Sequence, residues 1–558
     1  MKEHLSAMAL ATLLLWLPMR GDQSGERSIK EAIHEPEAVH SARTATVKGG
    51  ADAAPAPRFV TVRGQQFIDP QGRQILFHGA ALINKNRQEN YQPRATAEDF
   101  AQMRAWGWNC IRLGMFWDGL EPEMNRFDAE YLKKLDGWIA LAKAHDMHVI
   151  LDMHQDLYSY KYSDGAPEWA TLTDNQPHPS QTGAVWSDGY LTSPAVQRAF
   201  DNFWANKPCA DGVGLQDHFA AAWQNVAAHY RNEPTVIGYD LFNEPNIGGG
   251  SLPAQEAMAV ALARTLSEKD GPSVAPSPEE VVAQWITSEG RSRLILRLKE
   301  IDIYTKVVDA AGPIYVEFER ARLVPMFQRV RNAIRTVDTN HILFLETSMS
   351  ANMGIPSGIT RVVDAHGRPD ALQAFAPHGY DIVVDTRDLA LASNDRLALI
   401  FQRHAETGKR LDLPVLIGEW GAYGAAGPEI LPTARFNAAL FEEYLFSDTF
   451  WAYDRSLKDA ACLEALQRPI PVRVNGTLLI CQTDFERGKF TCSWKEDPAV
   501  TSPTKIYLPK RIFASREAVR LQPPGGGFTV KPVAGNAGHV HLVIPPAGRP
   551  SKRTLTVN

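Results

Sequence analysis

Residues 236–245 read VIGYDLFNEP. The stretch Val236–Phe242 is a short, nearly continuous apolar run, the pattern of a parallel strand covered on both faces, and it closes on the polar pair Asn243–Glu244. Runs of the same kind recur at Ile75–Ala80, Cys110–Met115, His148–His154, His341–Thr347, Ala374–Tyr380, Leu413–Glu419 and Thr449–Tyr453. Helical patterns such as Ala97–Trp106 and Tyr131–Ala144 separate them. Strand–helix alternation predicts an α/β chain with a parallel sheet, and eight repeats favour a (β/α)8 TIM barrel over an open sheet.

The barrel is expected over residues 59–462, interrupted directly after Glu244 by a long rim segment, 246–317. That segment opens Gly-rich, carries a helical stretch Ala254–Leu266, and turns at GPSVAPSPEE (271–280). Its apolar stripe is Met258, Val260, Ala261, Leu262 and Leu266. Such stripes pack on the protein body more often than they face a membrane, and loops of this length are usually functional or disordered. Further on, Arg473–Ile480, Lys489–Trp494, Lys505–Leu508 and Val540–Ile544 read as short strands and predict a C-terminal β-sandwich over 463–558. At the other end, the apolar run Leu5–Pro18 is too short to span a bilayer as a helix. It fits a signal-peptide core, so residues 1–21 are expected to direct export to a periplasm or the outside, and the Ala/Pro-rich stretch 22–58 to be a linker.

A hydrophobic fraction of 44% with 22% charged residues excludes a fibrous or wholly disordered chain. The net charge of −6, without a basic stripe, argues against nucleic-acid binding. Five cysteines in 558 residues exclude a disulfide scaffold. No histidine, cysteine and carboxylate cluster has metal-ligand spacing, so neither a catalytic metal nor another cofactor is expected.

In a barrel the chemistry sits where the strands end. Those positions hold Arg112, His154 with Asp156, Asn243–Glu244, His378, Tyr380, Glu419 and Trp451. Two carboxylates facing each other across a cleft can break a glycosidic bond: one protonates the leaving oxygen, the other attacks the anomeric carbon or activates water. Glu244 and Glu419 are the candidates, with Trp117, Trp451 and Tyr380 as stacking surfaces for sugar rings. Asn-Glu-Pro occurs a second time at Asn232–Glu233–Pro234, but there it precedes the strand, on the stability face. Position, more than the tripeptide, carries the inference.

This set of strand ends resembles family 5 of the glycoside hydrolases. LDMHQDLYS (151–159), DGAPEWA (164–170), VIGYDLFNEP (236–245), APHGYD (376–381), GEWG (418–421) and Arg468–Pro469 are similar to endoglycoceramidases and their relatives. The resemblance implies a retaining two-glutamate mechanism, with Glu244 as general acid/base and Glu419 as nucleophile. It further implies that Asn243 binds a sugar hydroxyl and that Tyr380 and Arg112 orient the nucleophile. Lys85, His154 and Asp156 would contact the first sugar, over a floor formed by Trp451. His378 joins the expected substrate-binding set. The implied substrate is a glycolipid cleaved between glycan and ceramide by a monomer that touches the membrane surface. Two variants keep the chemistry: a β-glucosidase on simple glucolipids or sterol glucosides, and an endo-β-glucanase on polysaccharide. A barrel that binds glycolipid without cleaving it is the reading from another class. Outside the site, the sequon Asn475–Gly476–Thr477 reads as chance, while Cys481 and Cys492 flank a hairpin and either pair or stay buried thiols.

Overall fold

The computed structural model describes residues 59–524 and 526–558. The expected export signal and linker lie outside the described residues. Three short strands come first: β1 (Thr61–Arg63), β2 (Gln66–Ile68) and β3 (Gln74–Ile75). Eight parallel strands follow: β4 (His78–Leu82), β5 (Cys110–Met115), β6 (His148–Met153), β7 (Val236–Asp240), β8 (Ile342–Leu345), β9 (Gln373–Phe375), β10 (Leu416–Ile417) and β11 (Ser447–Phe450). They pair in the order β10-β11-β4-β5-β6-β7-β8-β9, and a parallel bridge between Phe375 and Val415 closes the circle. Every residue of β5 and β7 is buried, which is why these strands read as unbroken apolar runs. Gly238 is required in β7, because a Cβ there would lie 2.1 Å from the carbonyl oxygen of Ile342 on β8.

The first expected strand, Ile75–Ala80, is two strands fused in the reading. His78–Leu82 enters the barrel, whereas Gln74–Ile75 pairs with β12 (Ile470–Val474) of the other sheet. The remaining strands are β13 (Thr477–Asp484), β14 (Lys489–Lys495), β15 (Thr504–Leu508), β16 (Val519–Gln522), β17 (Thr529–Pro532), β18 (Val540–Ile544) and β19 (Lys552–Val557). Two sheets, β1-β2-β3-β12-β15-β18-β17 and β13-β14-β19-β16, share a core of Leu478, Phe490, Trp494, Ile506, Leu542 and Leu555. The C-terminal domain is therefore a β-sandwich that recruits residues 61–75 from the other end of the barrel. Arg473–Ile480, expected as one strand, breaks at Asn475–Gly476, where Gly476 has φ 92°. Asn475 is fully buried, and its side-chain amide donates to Val500 O at 2.6 Å, so the sequon is a structural turn. Cys481 and Cys492 oppose each other across β13 and β14 as buried free thiols.

The rim segment folds into four helices: α1 (Ser251–Asp270), α2 (Pro278–Trp285), α3 (Ser288–Arg297) and α4 (Ile301–Phe318). Ser277 caps α2 in a reciprocal box with Glu280. The segment is tied to its neighbours by Arg291, whose Nη2 donates to Asp188 at 2.6 Å, and by Leu298 O, which accepts from Arg396 at 3.1 Å. Among the described residues, no helix is long and apolar enough to cross a membrane.

Asp448 of β11 joins barrel and sandwich. It accepts from Nη2 of Arg468 at 2.6 Å and Nε1 of Trp420 at 3.1 Å, and lies 3.0 Å from Nδ1 of His78. Burial pushes this carboxyl up, but Arg468 and His78 outweigh it and bring it down to about 2. A carboxyl held below its unfolded value stabilises the fold fully above the unfolded pKa, and that contribution disappears as pH falls toward the folded one. Asp448→Asn is expected to cost about 3 kcal/mol at neutral pH in denaturant titrations. The gap from wild type should close between roughly pH 4 and 2. A gap independent of pH would contradict the ion-pair account.

Candidate active site

Arg112, in the middle of β5, is wholly buried and points into the barrel among four carboxylates. Its Nε donates to Asp240 at 2.8 Å, Nη1 to Glu419 at 2.7 Å, and Nη2 to Glu346 at 2.9 Å, with Asp152 also 2.9 Å away. Nη2 further donates to the Asn243 side chain at 2.9 Å. One guanidinium cannot neutralise four carboxylates, so protons must be shared. Burial accordingly raises Asp152 to about 6 and holds Glu346 well above the usual range.

Glu419 follows β10 and receives a second hydrogen bond, from the Tyr380 hydroxyl at 2.9 Å. Glu244 follows β7 and accepts from Nδ2 of Asn352 at 2.6 Å. His378 stands between them, with Nδ1 3.0 Å from Glu244 and 3.6 Å from Glu419. Burial raises Glu244, but the hydrogen bond and charge of His378 outweigh it and leave the carboxyl below its usual range. Burial leaves Glu419 above its usual range in spite of His378 and Arg112, and the charge of Glu244 adds to the rise. Oxygens of the two carboxylates and a nitrogen of His378 lie within 4.8 Å of one another.

A polar wall adjoins this pair. His154 gives Nδ1 to Asp152 at 2.8 Å and stacks on Trp451 at 5.7 Å and 10°. Burial and the neighbouring Lys85 hold its imidazole neutral, so Nε2, which has no protein partner, is left as an acceptor. Lys85 is paired with Asp156 and lies 4.7 Å over the Trp451 ring. Asn243 donates Nδ2 to Gln155 O at 3.1 Å.

Of the ten residues expected at the site, Lys85, His154, Asp156, Asn243, Glu244, Tyr380, Glu419 and Trp451 line a single cavity of about 390 Å³, while Arg112 and His378 sit behind its wall. Trp117 does not reach it. Its ring is buried against Trp169 and Phe219, and its Nε1 donates to Glu121, which makes it a core residue instead of a stacking platform. Glu233 lies apart, beyond the opposite ends of the strands, paired with Lys143 at 3.1 Å. Among the described residues, three groups of histidines and carboxylates are close enough to share an ion: His154–Asp156–Asp164, Asp240–Glu346–His378 and Glu244–His378–Glu419. In each, Lys85 or Arg112 already pairs with a carboxylate of the group.

The far side of the cavity is apolar and belongs to the rim segment: Met258 and Leu262 of α1, Val281 and Trp285 of α2, and Val307 and Val308 of α4. Met258 and Leu262 of the expected stripe thus face the cavity, whereas Val260 is 46% exposed on the outer side. Trp186, 40% exposed, donates Nε1 to Asp385 at 2.8 Å and links two rim loops at the cavity edge. Sequence reading did not single out Glu346, Asn352, Trp186 or Asp385. Glu346 had a signal, since it closes the fifth apolar run as Glu244 closes the fourth. Trp186 and Asn352 sit in single helical turns and Asp385 in a loop, none of which a periodicity predicts.

Among curated relatives, an endoglycoceramidase of Cyanea nozakii is 34% identical over 211 residues, 33% of this chain and 41% of that protein. Endoglycoceramidase I of Rhodococcus hoagii (strain 103S) is 32% identical over 197 residues, 34% of this chain and 38% of that protein. The chain thus spans well under two thirds of these relatives' lengths. Among solved structures, endo-glycoceramidase II from Rhodococcus sp., in a five-membered iminocyclitol complex, is similar with a TM-score of 0.65 and 25% identity, over 88% of this chain and 99% of that one. The profile of the glycoside hydrolase family 5 C-terminal domain matches residues 468–557. The cellulase (glycosyl hydrolase family 5) profile matches residues 69–456, a span that contains all eight barrel strands and both strand-end glutamates, and the chain belongs to glycosyl hydrolase family 5.

Proposed function

We propose that this protein is a retaining β-glycosidase that separates a glycan from a lipid, with ceramide as the aglycone. The observation that carries the reading is the two-sided cavity: paired glutamates and sugar-binding polar groups at one end, an apolar chamber built by α1, α2 and α4 at the other. A polysaccharide enzyme needs an open cleft lined by polar groups on both sides of the scissile bond, which a chamber with a largely apolar far wall does not offer. Relatives named endoglycoceramidase and a similar structure described as a ganglioside GM3 complex support a glycolipid substrate. A simpler glucolipid or sterol glucoside is the second reading, favoured by the same chamber. Export, read from Leu5–Pro18, and contact with a lipid surface belong to the same proposal.

The carboxylate spacing supports double displacement, because retaining enzymes hold the pair about 5–5.5 Å apart and inverting ones leave room for a water. Glu419 attacks the anomeric carbon as the bond to the aglycone oxygen breaks, and Glu244 gives that oxygen its proton. Water then attacks the glycosyl-enzyme, Glu244 takes back a proton, and Glu419 leaves as the carboxylate. An entering glycan displaces water from Glu244 and favours its neutral form, while Arg112 and Tyr380 keep their hydrogen bonds to Glu419. His154 and Lys85 meet sugar hydroxyls over the Trp451 ring.

The direct test is release of intact glycan and intact ceramide from a small glycolipid panel, followed by mass spectrometry. Activity confined to soluble polysaccharides would refute the lipid reading. Glu419→Gln should lose several orders of magnitude in kcat. Glu244→Gln should abolish cleavage of substrates with poor leaving groups, whereas Glu233→Gln should leave turnover intact. Equal damage from the last two changes would contradict the placement of the pair.

Stereochemistry gives a separate expectation. Proton NMR of the first-formed sugar should show the β-anomer ahead of mutarotation, and early accumulation of the α-anomer would rule out double displacement.

The chamber can be probed with Val282→Asp, which puts a charge on an exposed apolar edge without removing a buried contact. It should raise KM for a ceramide-linked glycan by about tenfold or more, from lost apolar burial. An aryl glycoside should be hydrolysed as before. Parallel losses on both substrates would make the rim segment a support of the site and not a lipid-binding element.

A further inference from the structure

Strand β8 closes on Glu346, a carboxylate for which the double-displacement scheme has no task. It is buried, and each of its contacts leads to the catalytic pair. Its Oε2 accepts the backbone N–H of Glu244 at 2.8 Å. Its Oε1 accepts from Nη2 of Arg112 at 2.9 Å and lies 3.2 Å from Nε2 of His378. Arg112 in turn holds Glu419, and the other nitrogen of His378 faces Glu244. The backbone of Glu244 has φ 45°, a left-handed conformation that a residue with a Cβ keeps only when its surroundings impose it. Pro245 has no N–H to contribute, and the carbonyl oxygens of Asn243 and Glu244 are both taken by Gln155 Nε2. The Asn243 N–H is given to Met153 O at 3.0 Å, so the N–H of Glu244 is the donor left at the left-handed residue itself, and Glu346 receives it.

The geometry points to Glu346 as a positioning residue for the general acid/base: it pins the Glu244 backbone in its left-handed turn and, through His378 and Arg112, sets Glu244 against Glu419. The inference rests on the assignment of Glu244 as acid/base. Loss of Glu346 should therefore resemble a weakened general acid and not a uniformly damaged enzyme.

The test uses the full chain as Glu346→Gln and Glu346→Asp, with Glu244→Ala as reference. Two glycosides of one sugar are compared, a dinitrophenyl glycoside, whose leaving group needs no proton, and an alkyl glycoside, whose leaving group does. Active sites are counted by burst titration, so a partly unfolded preparation does not mimic a slow enzyme. The Glu346 variants should lose about 100-fold in kcat/KM on the alkyl glycoside, the scale of a displaced catalytic group. They should lose less than about fivefold on the dinitrophenyl glycoside, where acid catalysis contributes little. Azide, which attacks a glycosyl-enzyme without a general base, should raise their turnover of the dinitrophenyl substrate, as it should for Glu244→Ala. Equal losses on the two substrates, or no loss on either, would overturn the positioning role. If Glu346→Gln fails to fold, Glu346→Asp, which keeps the charge but shortens the reach, decides the matter by the same comparison. Absence of leaving-group dependence in Glu244→Ala would instead show that the acid/base assignment beneath the inference is wrong.

Discussion

A guanidinium with no exposed surface, Arg112, sets the terms for the centre of this barrel. Four carboxylates converge on it from β6, from β7 and from the ends of β8 and β10. An isolated buried charge is very costly, and the cost is recovered only when geometry and hydrogen bonds are complete. The fan of five donors on an arginine can meet several carboxylates at fixed angles, which a lysine cannot. Because its positive charge is too small for its neighbours, protons have to be distributed among them, and His378 carries part of that distribution to Glu244. Glu244 and Glu419 are thus members of a larger buried network that joins the ends of several strands.

The second determinant is the rim segment. It leaves the barrel directly after Glu244, so it rises on the face where the strands end, and its helices turn apolar side chains toward the glutamates from the far side of the cavity. A polar wall and an apolar wall therefore meet at the two glutamates. Arg291 fastens this segment to Asp188 of the loop beside it, and Trp186 of that loop is tied in turn to Asp385, so the chamber is part of the folded rim.

Much of this was legible in the sequence, for a physical reason: buried parallel strands are apolar throughout, and the residue that ends such a strand is thereby marked. The eight barrel strands and the two strand-end glutamates follow from that rule, whereas the sandwich shows in short strands set off by turn signals. The fusion of β3 with β4 shows where it fails, since one apolar run can serve two sheets when the chain crosses between domains, as Gln74–Leu82 does. Trp117 failed for a related reason: an aromatic just past a strand end can turn inward, and here Trp169 and Phe219 cover it. The stripe on α1 was visible as a helix face, but its partner was not, because nothing in a local period tells a cavity wall from a packed core. Glu346 obeyed the strand-end rule and was passed over, since its role lies in the backbone of another residue.

The claim on which the rest depends is that Glu419 forms a covalent bond to the sugar. Inactivation with a fluorinated mechanism-based glycoside, followed by peptide mass mapping of the trapped protein, tests it most directly. The account predicts stoichiometric labelling of one peptide, with the sugar attached to Glu419. A label on Glu244 or on another carboxylate of the network, or continued turnover with no label at all, would contradict it.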